Sequence, residues 1–439
     1  MATTATAPVK AATSVFAGVP EAPADPILGL NAAFLADESP DKISLGVGAF
    51  RTDEGKPYVL PVVKRIEQQL AADPATNHEY LPIDGLPAFQ KLSAELILGK
   101  DSTALKEGRV VTIQALSGTG ALRVGITFLG RFLRTSGSPP VVYIPTPTWS
   151  NHRNIVPDAG LGAARTYRYL DSVSGGVDLP SMLADLSDAP AGSVIILHGC
   201  AHNPTGADPS PAQWADILAV VQSRRLIPFF DNAYQGFASG DLDADAASVR
   251  LFANAGIDMV LSQSFAKNMG LYGQRIGALS VVLAADTPDV ATTAKAVRSQ
   301  LKAVVRPMYS SPPAHGARIA VGVLGDEANY AEWKKELAGM AGRIGDMRTA
   351  LKSALDANGT PGDWTRIVNQ IGMFSFTGLS AQQVAHLRNK HHIYMTSNGR
   401  ISMAGLTSST VQRVADAMKD AVETVAKQDP SGSCVKSRL

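Results

Sequence analysis

From residue 109 onwards, short apolar segments alternate with amphipathic ones, and this rhythm limits the folds open to the chain. The apolar segments are rich in valine and isoleucine and barely alternate with polar residues, which is typical of strands buried on both faces. They span 110–115, 141–144, 194–197, 227–230, 259–262 and 278–283. Helical patterns, for example 122–133 and 213–224, lie between several of them. The sequence therefore predicts an α/β fold with a mainly parallel sheet covered by helices.

The pattern of apolar and helical segments changes after about residue 325. A long helical stretch over 329–355 carries few breakers, and we expect it to bridge two domains. Short apolar segments at 372–377, 393–396 and 401–403 follow, together with helical patterns at 381–389 and 409–427. This part of the chain predicts a smaller α+β domain, separate from the large sheet.

Composition excludes several classes of function. The 439 residues carry a formal net charge of +1 without a basic block, so the sequence does not indicate a nucleic-acid or acidic-membrane partner. No apolar run reaches the length of a transmembrane helix, and two cysteines cannot build a disulfide framework. We therefore expect a globular protein of a reducing, intracellular compartment.

The two ends of the chain differ from the rest. The segment 1–25 lacks the features of a signal peptide or mitochondrial presequence and predicts a flexible arm. The tail 429–439 is small and polar, and we expect it to be flexible. It ends in Ser437, Arg438 and Leu439, which resemble a C-terminal peroxisomal address. The prediction is a cytoplasmic protein with a possible import into peroxisomes or glycosomes.

One segment indicates a specific chemistry. Lys267 follows the apolar run at 259–262, with Ser264 three residues before it and Arg275 eight residues after it. A lysine can form a Schiff base with an aldehyde, and a serine and an arginine can hold a phosphate. Pyridoxal phosphate carries both groups. An exposed lysine in a polar loop is the alternative interpretation of this segment alone.

Two further segments fit a phosphorylated, electron-withdrawing cofactor. Asp231 ends the strand predicted at 227–230, where ligands approach an α/β sheet, although a helix-capping aspartate would occupy the same place. Ser117, Gly118 and Thr119 join a predicted strand to a helix, where backbone amides can bind an anion. Arg123 stands where the third glycine of a dinucleotide-binding loop would be, which argues against that class.

The chain resembles the class I aminotransferases of the eukaryotic aspartate aminotransferase type over about residues 14–427. The resemblance rests on SFAKNMGLYGQR at 264–275 and on seven further motifs that occur in the family's order. These are GVGAFR at 46–51, HEYLP at 78–82, SGTGAL at 117–122, PTWSNH at 147–152, HNPTG at 202–206, DNAYQG at 231–236 and GRISM at 399–403.

The resemblance implies a fold and a division of the chain. The fold is that of fold-type I pyridoxal-phosphate transferases, with a mainly parallel seven-stranded sheet in the large domain and a smaller α+β domain. We expect the large domain over 59–325 and a discontinuous small domain over 26–58 and 326–428. The resemblance also implies a homodimer with shared active sites.

The resemblance also implies a role for each site residue. Lys267, Asp231 and Tyr234 are expected to be catalytic, with His152 behind Asp231. Tyr80 from the partner subunit, Ser117, Gly118, Thr119, Trp149, Asn203, Ser264 and Arg275 complete the expected pyridoxal 5′-phosphate site. Gly48, Trp149, Asn203, Arg306 and Arg400 are expected to bind the substrate. Arg400 would bind its α-carboxylate, and Arg306 would reach across the dimer to its distal carboxylate.

The predicted reaction transfers the amino group of L-aspartate to 2-oxoglutarate and gives oxaloacetate and L-glutamate in a ping-pong sequence. A broad-specificity or aromatic aminotransferase would use the same residues, and a binding protein descended from an enzyme is a further alternative. No metal is predicted: His198 and His202 are expected to be structural, and the pair His391 and His392, at a helix end, is expected to have no third ligand nearby.

Overall fold

The computed structural model describes residues 14–22, 28–134 and 137–428. Most of the expected arm at 1–25 and the whole tail, with Ser437, Arg438 and Leu439, therefore lie outside the described residues. No described helix has both the length and the apolar composition needed to cross a membrane.

Eleven strands are present in the described part of the chain. They are β1 Ile43–Ser44, β2 Val110–Leu116, β3 Val142–Thr146, β4 Arg165–Arg168, β5 Val194–His198, β6 Ile227–Asn232, β7 Met259–Ser264, β8 Ile276–Val282, β9 Phe374–Phe376, β10 Ile393–Tyr394 and β11 Arg400–Ser402.

Sixteen α-helices lie within the same residues. They are α1 Leu28–Ala36, α2 Pro61–Ala72, α3 Pro87–Leu98, α4 Thr103–Lys106, α5 Ser117–Phe132, α6 His152–Asp158, α7 Leu179–Ser187, α8 Pro211–Arg224, α9 Leu242–Asp245, α10 Ala247–Asn254, α11 Val290–Tyr309, α12 Ala314–Leu324, α13 Glu327–Ala357, α14 Arg366–Asn369, α15 Ala381–His391 and α16 Val411–Gln428. Single 3₁₀ turns cover Tyr272–Gln274 and Met403–Gly405.

Seven strands form one sheet in the order β2-β8-β7-β6-β5-β3-β4. Strand β8 runs antiparallel to both of its neighbours, and all the other pairs are parallel. The predicted α/β fold with a mainly parallel seven-stranded sheet is thus confirmed. The carboxyl ends of the parallel strands and the amino end of β8 consequently lie along one edge of this sheet.

The sheet is buried on both faces, as the apolar runs predict. Along β5, Val194 and Ile196 pack into one cluster with residues of α5, while Ile195 and Leu197 pack into a second cluster with residues of α8. Helix α5 lies close to the sheet at Gly125, where an added Cβ would come within 2.6 Å of Phe229 Cζ. A larger residue at position 125 would push the helix away from the strand.

The strands that the apolar runs predict all occur, with shifts of up to two residues at their ends. Edge strand β4 was not predicted, because three of its four residues are exposed and it has no apolar run. Helix α5 begins five residues before the predicted start at 122, because Gly118 and Gly120 weaken the helical pattern of its first turn.

Residues beyond 325 form two further pairs of strands. Strand β9 pairs antiparallel with β11, and β10 pairs parallel with β1 from the start of the chain. Helix α13 runs for 31 residues, close to the predicted 329–355, and packs against α2 and α12 as well as α14 and α16. A third cluster of buried apolar residues joins these elements to β1.

Candidate active site

One cavity lies at the edge of the sheet where the strand ends gather. Its volume is about 230 Å³. Seventeen residues line it: Gly48, Ser117, Gly118, Thr119, Leu122, Trp149, Asn203, Asp231, Ala233, Tyr234, Ser264, Ala266, Lys267, Tyr272, Arg275, Phe374 and Arg400. Every site residue predicted from the sequence is among them except Tyr80 and Arg306.

The topology of the sheet explains why residues so distant in sequence meet here. Ser117 follows β2, Asp231 lies near the end of β6, and Lys267 comes three residues after β7. Arg275 precedes β8, whose direction is reversed, so that its amino end lies at the same edge. Each of these side chains therefore reaches the cavity from the end of a strand fixed by the sheet.

Lys267 presents its amine to the interior of the cavity. Its Nζ lies 5.0 Å from the centroid of the Tyr234 ring. Burial lowers the pKa of Lys267 to about 8, because the charged ammonium is less well solvated than in water; Asp231 opposes this shift and Arg275 adds to it. Roughly a tenth of the amine is therefore unprotonated, and thus nucleophilic, at pH 7.

This electrostatic account predicts how Lys267 titrates in the cofactor-free protein. Acetylation of the amine should rise as the pH increases and reach half its maximum near pH 8. The midpoint should fall in Asp231→Asn and rise in Arg275→Gln, because the two charges act on the pKa of Lys267 in opposite directions. Competitive acetylation followed by mass spectrometry measures these midpoints, with exposed Lys91 as the internal control. Shifts in the reverse directions would contradict the account.

A chain of hydrogen bonds, buried at both ends and partly buried at Thr148, leads to Asp231. Asp231 Oδ2 lies 3.1 Å from His152 Nε2, and His152 Nδ1 lies 2.8 Å from Thr148 Oγ1. Thr148 Oγ1 lies 3.2 Å from His198 Nε2, and His198 Nδ1 accepts the backbone N–H of Asn203 at 3.4 Å. Because His198 Nδ1 is an acceptor, a neutral ring carries its proton on Nε2. His198 Nε2–H then donates to Thr148 Oγ1, and the Thr148 hydroxyl donates to His152 Nδ1. His152 in turn donates its Nε2–H to the Asp231 carboxylate.

The pKa shifts of Asp231 and His198, at the two ends of this chain of hydrogen bonds, agree with the direction of donation. Burial raises the pKa of the Asp231 carboxyl, but the hydrogen bond from His152, together with the Coulombic effect of the Lys267 ammonium, outweighs burial and leaves the pKa below its ordinary value. Burial lowers the pKa of His198 well below its ordinary value, so His198 is neutral at neutral pH. Asp231 is thus a buried carboxylate that is held ionised and fixed in orientation.

A second group of polar residues forms an anion cradle. Helix α5 begins at Ser117, whose φ of 60° orients the first turn, and its first amides have no side-chain cap. Ser117 Oγ lies 2.9 Å from Ser264 Oγ, and Gly118, Thr119 and Arg275 line the same cavity. Free amides at a helix start, hydroxyl groups and a guanidinium together suit a phosphate group.

Arg400 is a buried cation without an acidic partner among the described residues. It is 4% exposed, and its Nη2 donates to the Gly46 carbonyl at 2.7 Å. Its guanidinium carbon lies 4.3 Å from the centroid of the Phe374 ring, and its Nε has no hydrogen-bond partner. Burial lowers the pKa of Arg400 to about 10. A buried charge of this kind is costly unless an anion joins it, so the site is suited to a carboxylate ligand.

Two predicted site residues lie outside the cavity. Tyr80 is 84% exposed. Arg306 is also exposed, and its Nη1 donates to Ser310 Oγ at 2.6 Å. The cavity of one chain therefore contains three cationic side chains from the described residues, Lys267, Arg275 and Arg400.

Sequence reasoning missed Tyr272 and Phe374. The Tyr272 hydroxyl accepts the backbone N–H of Phe50 at 3.0 Å, which connects the lysine segment to the loop after Gly48. Tyr272 lies inside the lysine segment, so its position offered a signal. Phe374 packs edge-on against Tyr234, with the ring centroids 6.1 Å apart, but in the sequence it is an ordinary apolar residue of a strand.

Comparison with known proteins shows the family of the chain. The model of the family "Aminotransferase class I and II" matches residues 40–418, and the chain belongs to that family. The chain is 55% identical to "Aspartate aminotransferase, cytoplasmic" of Oryza sativa subsp. japonica over 412 residues, which cover 94% of this chain and 99% of the relative.

Two solved structures are similar along nearly their whole length. The cytoplasmic aspartate aminotransferase of Giardia lamblia superposes with a TM-score of 0.90 at 39% identity, covering 94% of this chain and 99% of the other. An aromatic-amino-acid aminotransferase from Burkholderia pseudomallei, covalently bound to pyridoxal phosphate, has a TM-score of 0.88 at 43% identity, covering 93% and 100%.

Proposed function

We propose that this protein is a pyridoxal-phosphate-dependent aspartate aminotransferase, which transfers the amino group of L-aspartate to 2-oxoglutarate. The observation that carries the proposal is the presence of the buried Lys267 amine and the unpaired Arg400 guanidinium in one cavity. An amine of lowered pKa suits covalent chemistry with an aldehyde, and an unpaired arginine suits the carboxylate of an amino acid. The relative from Oryza sativa carries the name of the same activity.

The residues of the cavity fit pyridoxal 5′-phosphate. Lys267 would attach it, and the cradle of Ser117, Ser264 and Arg275 would hold its phosphate. Asp231 would keep a proton on its pyridine nitrogen, because the carboxylate is ionised before the cofactor binds. Gly118 and Thr119 complete the cradle, and the indole of Trp149 would cover one face of the ring. When bound, this cofactor supplies an aldehyde that condenses with amino groups and a ring that withdraws electrons from the substrate carbon.

The chain's own residues supply binding and proton transfer. Arg400 would orient the substrate through its α-carboxylate. Lys267 Nζ would take the proton from the Cα of the amino acid in the first half of the cycle. It would return a proton to Cα when the oxo acid is converted in the second half. A pKa of about 8 is well placed for both transfers. Tyr234 and Asn203 would hydrogen-bond the phenolic oxygen of the cofactor. The amino acid and the oxo acid use this one site in turn.

The choice of substrate is a separate part of the proposal. The Burkholderia neighbour is named for aromatic amino acids, so a broad-specificity or aromatic aminotransferase is the second candidate. Activity with aspartate and with phenylalanine, each with 2-oxoglutarate as acceptor, decides between them. A kcat/KM for phenylalanine equal to or above that for aspartate would favour the second candidate.

We also propose a homodimer in which each site is completed by its partner. Two expected site residues, Tyr80 and Arg306, are exposed rather than in the cavity of their own chain. Val15 and Phe16 are 89% and 76% exposed, so the described piece near the start of the chain carries an uncovered apolar surface. A second copy would cover this surface and bring Arg306 to the distal carboxylate of the substrate.

A mixing experiment tests the shared site. Lys267→Ala and Arg306→Ala homodimers should each be poor with aspartate. After the two are denatured, mixed and refolded, a hybrid dimer contains one site that lacks both residues and one intact site. With statistical mixing of equal amounts, about half of the dimers are hybrids, so the activity per total chain should recover to up to about a quarter of the wild-type value.

The matched control uses two residues of the same cavity. Lys267→Ala mixed with Arg400→Ala should recover no activity, because every hybrid site still lacks one residue. Absence of recovery with Arg306→Ala, despite hybrid dimers shown by mass spectrometry, would contradict the shared arrangement.

The division into a large domain over 59–325 and a small domain over 26–58 and 326–428 is likewise a proposal. The parallel pairing of β1 with β10 supports the assignment of the early segment to the small domain. For location we propose the cytoplasm, as in the names of relatives from Oryza sativa and Gallus gallus.

Import through Ser437, Arg438 and Leu439 is a further proposal, based on the sequence alone. A fluorescent protein fused to residues 428–439 should accumulate in punctate organelles, and the same fusion without the last three residues should stay diffuse. A diffuse signal from both fusions would contradict the import proposal.

A further inference from the structure

A cluster of two histidines and an aspartate lies outside the active site. His386 and His391 belong to α15, and Asp420 belongs to α16, which packs against α15. Asp420 Oδ2 lies 2.6 Å from His386 Nε2 and 2.7 Å from His391 Nε2. The sequence interpretation that His391 and His392 have no third ligand nearby is therefore wrong for His391. His392 points to a different carboxylate, that of Asp37, at 2.7 Å.

The hydrogen bonding within this cluster is crowded. In addition to the two imidazoles, the Lys390 ammonium lies 2.8 Å from the same oxygen, Asp420 Oδ2. A carboxylate oxygen offers about two lone-pair positions, so three N–H donors compete for Oδ2, although the ammonium also reaches Asp420 Oδ1 at 3.0 Å. If a cation occupied the centre instead, the imidazole nitrogens and the carboxylate oxygen would all become its ligands, and the competition between donors would end.

We propose that His386, His391 and Asp420 form a binding site for a divalent cation of the zinc type. Their three ligand atoms lie within 4.8 Å of one another. Imidazole nitrogen and carboxylate oxygen bind Zn²⁺ at about 2.0–2.2 Å in a tetrahedron, which places neighbouring ligand atoms roughly 3.3 Å apart. The two imidazole–carboxylate distances, 2.6 and 2.7 Å, would therefore have to lengthen by roughly 0.6–0.7 Å. Water can take the fourth position, because all three side chains are partly exposed.

The Lys390 ammonium would compete with the cation for Asp420. This ammonium must leave Asp420 when the cation enters, and the Lys390 side chain is 55% exposed, so it can turn toward solvent. The bound cation would join the carboxyl end of α15 to α16 and so stabilise the packing of these helices. His392, the neighbouring residue, contributes nothing to the site and provides a matched control.

Zn²⁺ titration of the untagged holoenzyme by calorimetry tests the proposal. Wild type should bind one cation per chain in a saturable manner. His386→Gln and His391→Gln should weaken binding at least about tenfold, since each removes one of three protein ligands. His392→Gln should leave binding unchanged, and Lys390→Gln should tighten it severalfold because the competing ammonium is gone. Unchanged transaminase activity would show that the variants are folded.

Three results would overturn the proposal. They are no saturable Zn²⁺ binding by wild type, binding by His386→Gln and His391→Gln as tight as that of wild type, or weaker binding by Lys390→Gln than by wild type. Co²⁺ provides a measurement on wild type that needs no variant to fold. A visible ligand-field spectrum typical of four-coordinate Co²⁺ with nitrogen ligands is expected, and the spectrum of hydrated octahedral Co²⁺ alone would also overturn the proposal.

Discussion

Lys267→Ala is expected to lower kcat for aspartate by at least about 10⁴-fold, since general acid–base catalysis alone contributes 10²–10⁴-fold and the covalent attachment is lost as well. No other amine lines the cavity among the described residues. The change removes an ammonium whose burial is unfavourable, so the fold should persist. Steady-state kinetics measures the loss, and circular dichroism checks the fold.

Lys91→Ala is the matched control, because it removes an exposed lysine that forms only a long ion pair with Glu95 at 3.8 Å. It should retain the wild-type rate. If Lys267→Ala kept a substantial fraction of the wild-type kcat, the assignment of Lys267 would be wrong.

Asp231→Ala is expected to lower kcat by about 10³-fold. A carboxylate about 4 Å from a protonated pyridine nitrogen contributes on the order of 4 kcal/mol at an effective dielectric constant near 20. A change of this size in the activation free energy corresponds to about three powers of ten in rate. Aspartate turnover by Asp231→Ala, compared with wild type, measures the effect.

Tyr234→Phe provides the comparison for Asp231→Ala. It removes one neutral hydroxyl, and a neutral hydrogen bond contributes about 1 kcal/mol, so the expected loss is only about fivefold. The cavity keeps its shape, because the Tyr234 ring still packs against Phe374. Greater damage from Tyr234→Phe than from Asp231→Ala would show that the two roles are misassigned.

The sequence predicted the sheet well because both faces of its strands are buried. Such strands are continuous apolar runs, and the ends of these runs located Asp231 and Lys267 near the cavity. Strand β4 escaped prediction because it lies at the edge and three of its residues are exposed. The gathering of strand ends depends on strand order, which the runs alone do not specify.

The side-chain networks were harder to predict than the strands. The sequence indicated His152 behind Asp231 only by resemblance, whereas the chain through Thr148 and His198 depends on distances between separate strands. The same is true of Asp420, which lies 29 residues from His391 in the sequence and reaches it only because α15 and α16 pack together. A local pattern contains no information about such contacts.

The most direct test of the proposed function is a single half-reaction. The purified, cofactor-loaded protein is mixed with ¹⁵N-labelled L-aspartate without any oxo acid, and oxaloacetate is measured. We expect about one oxaloacetate per chain. After the unreacted aspartate is removed, 2-oxoglutarate should release about the same amount of ¹⁵N-labelled glutamate. Failure to form oxaloacetate, or release of the label as ammonia instead of glutamate, would contradict an aspartate aminotransferase.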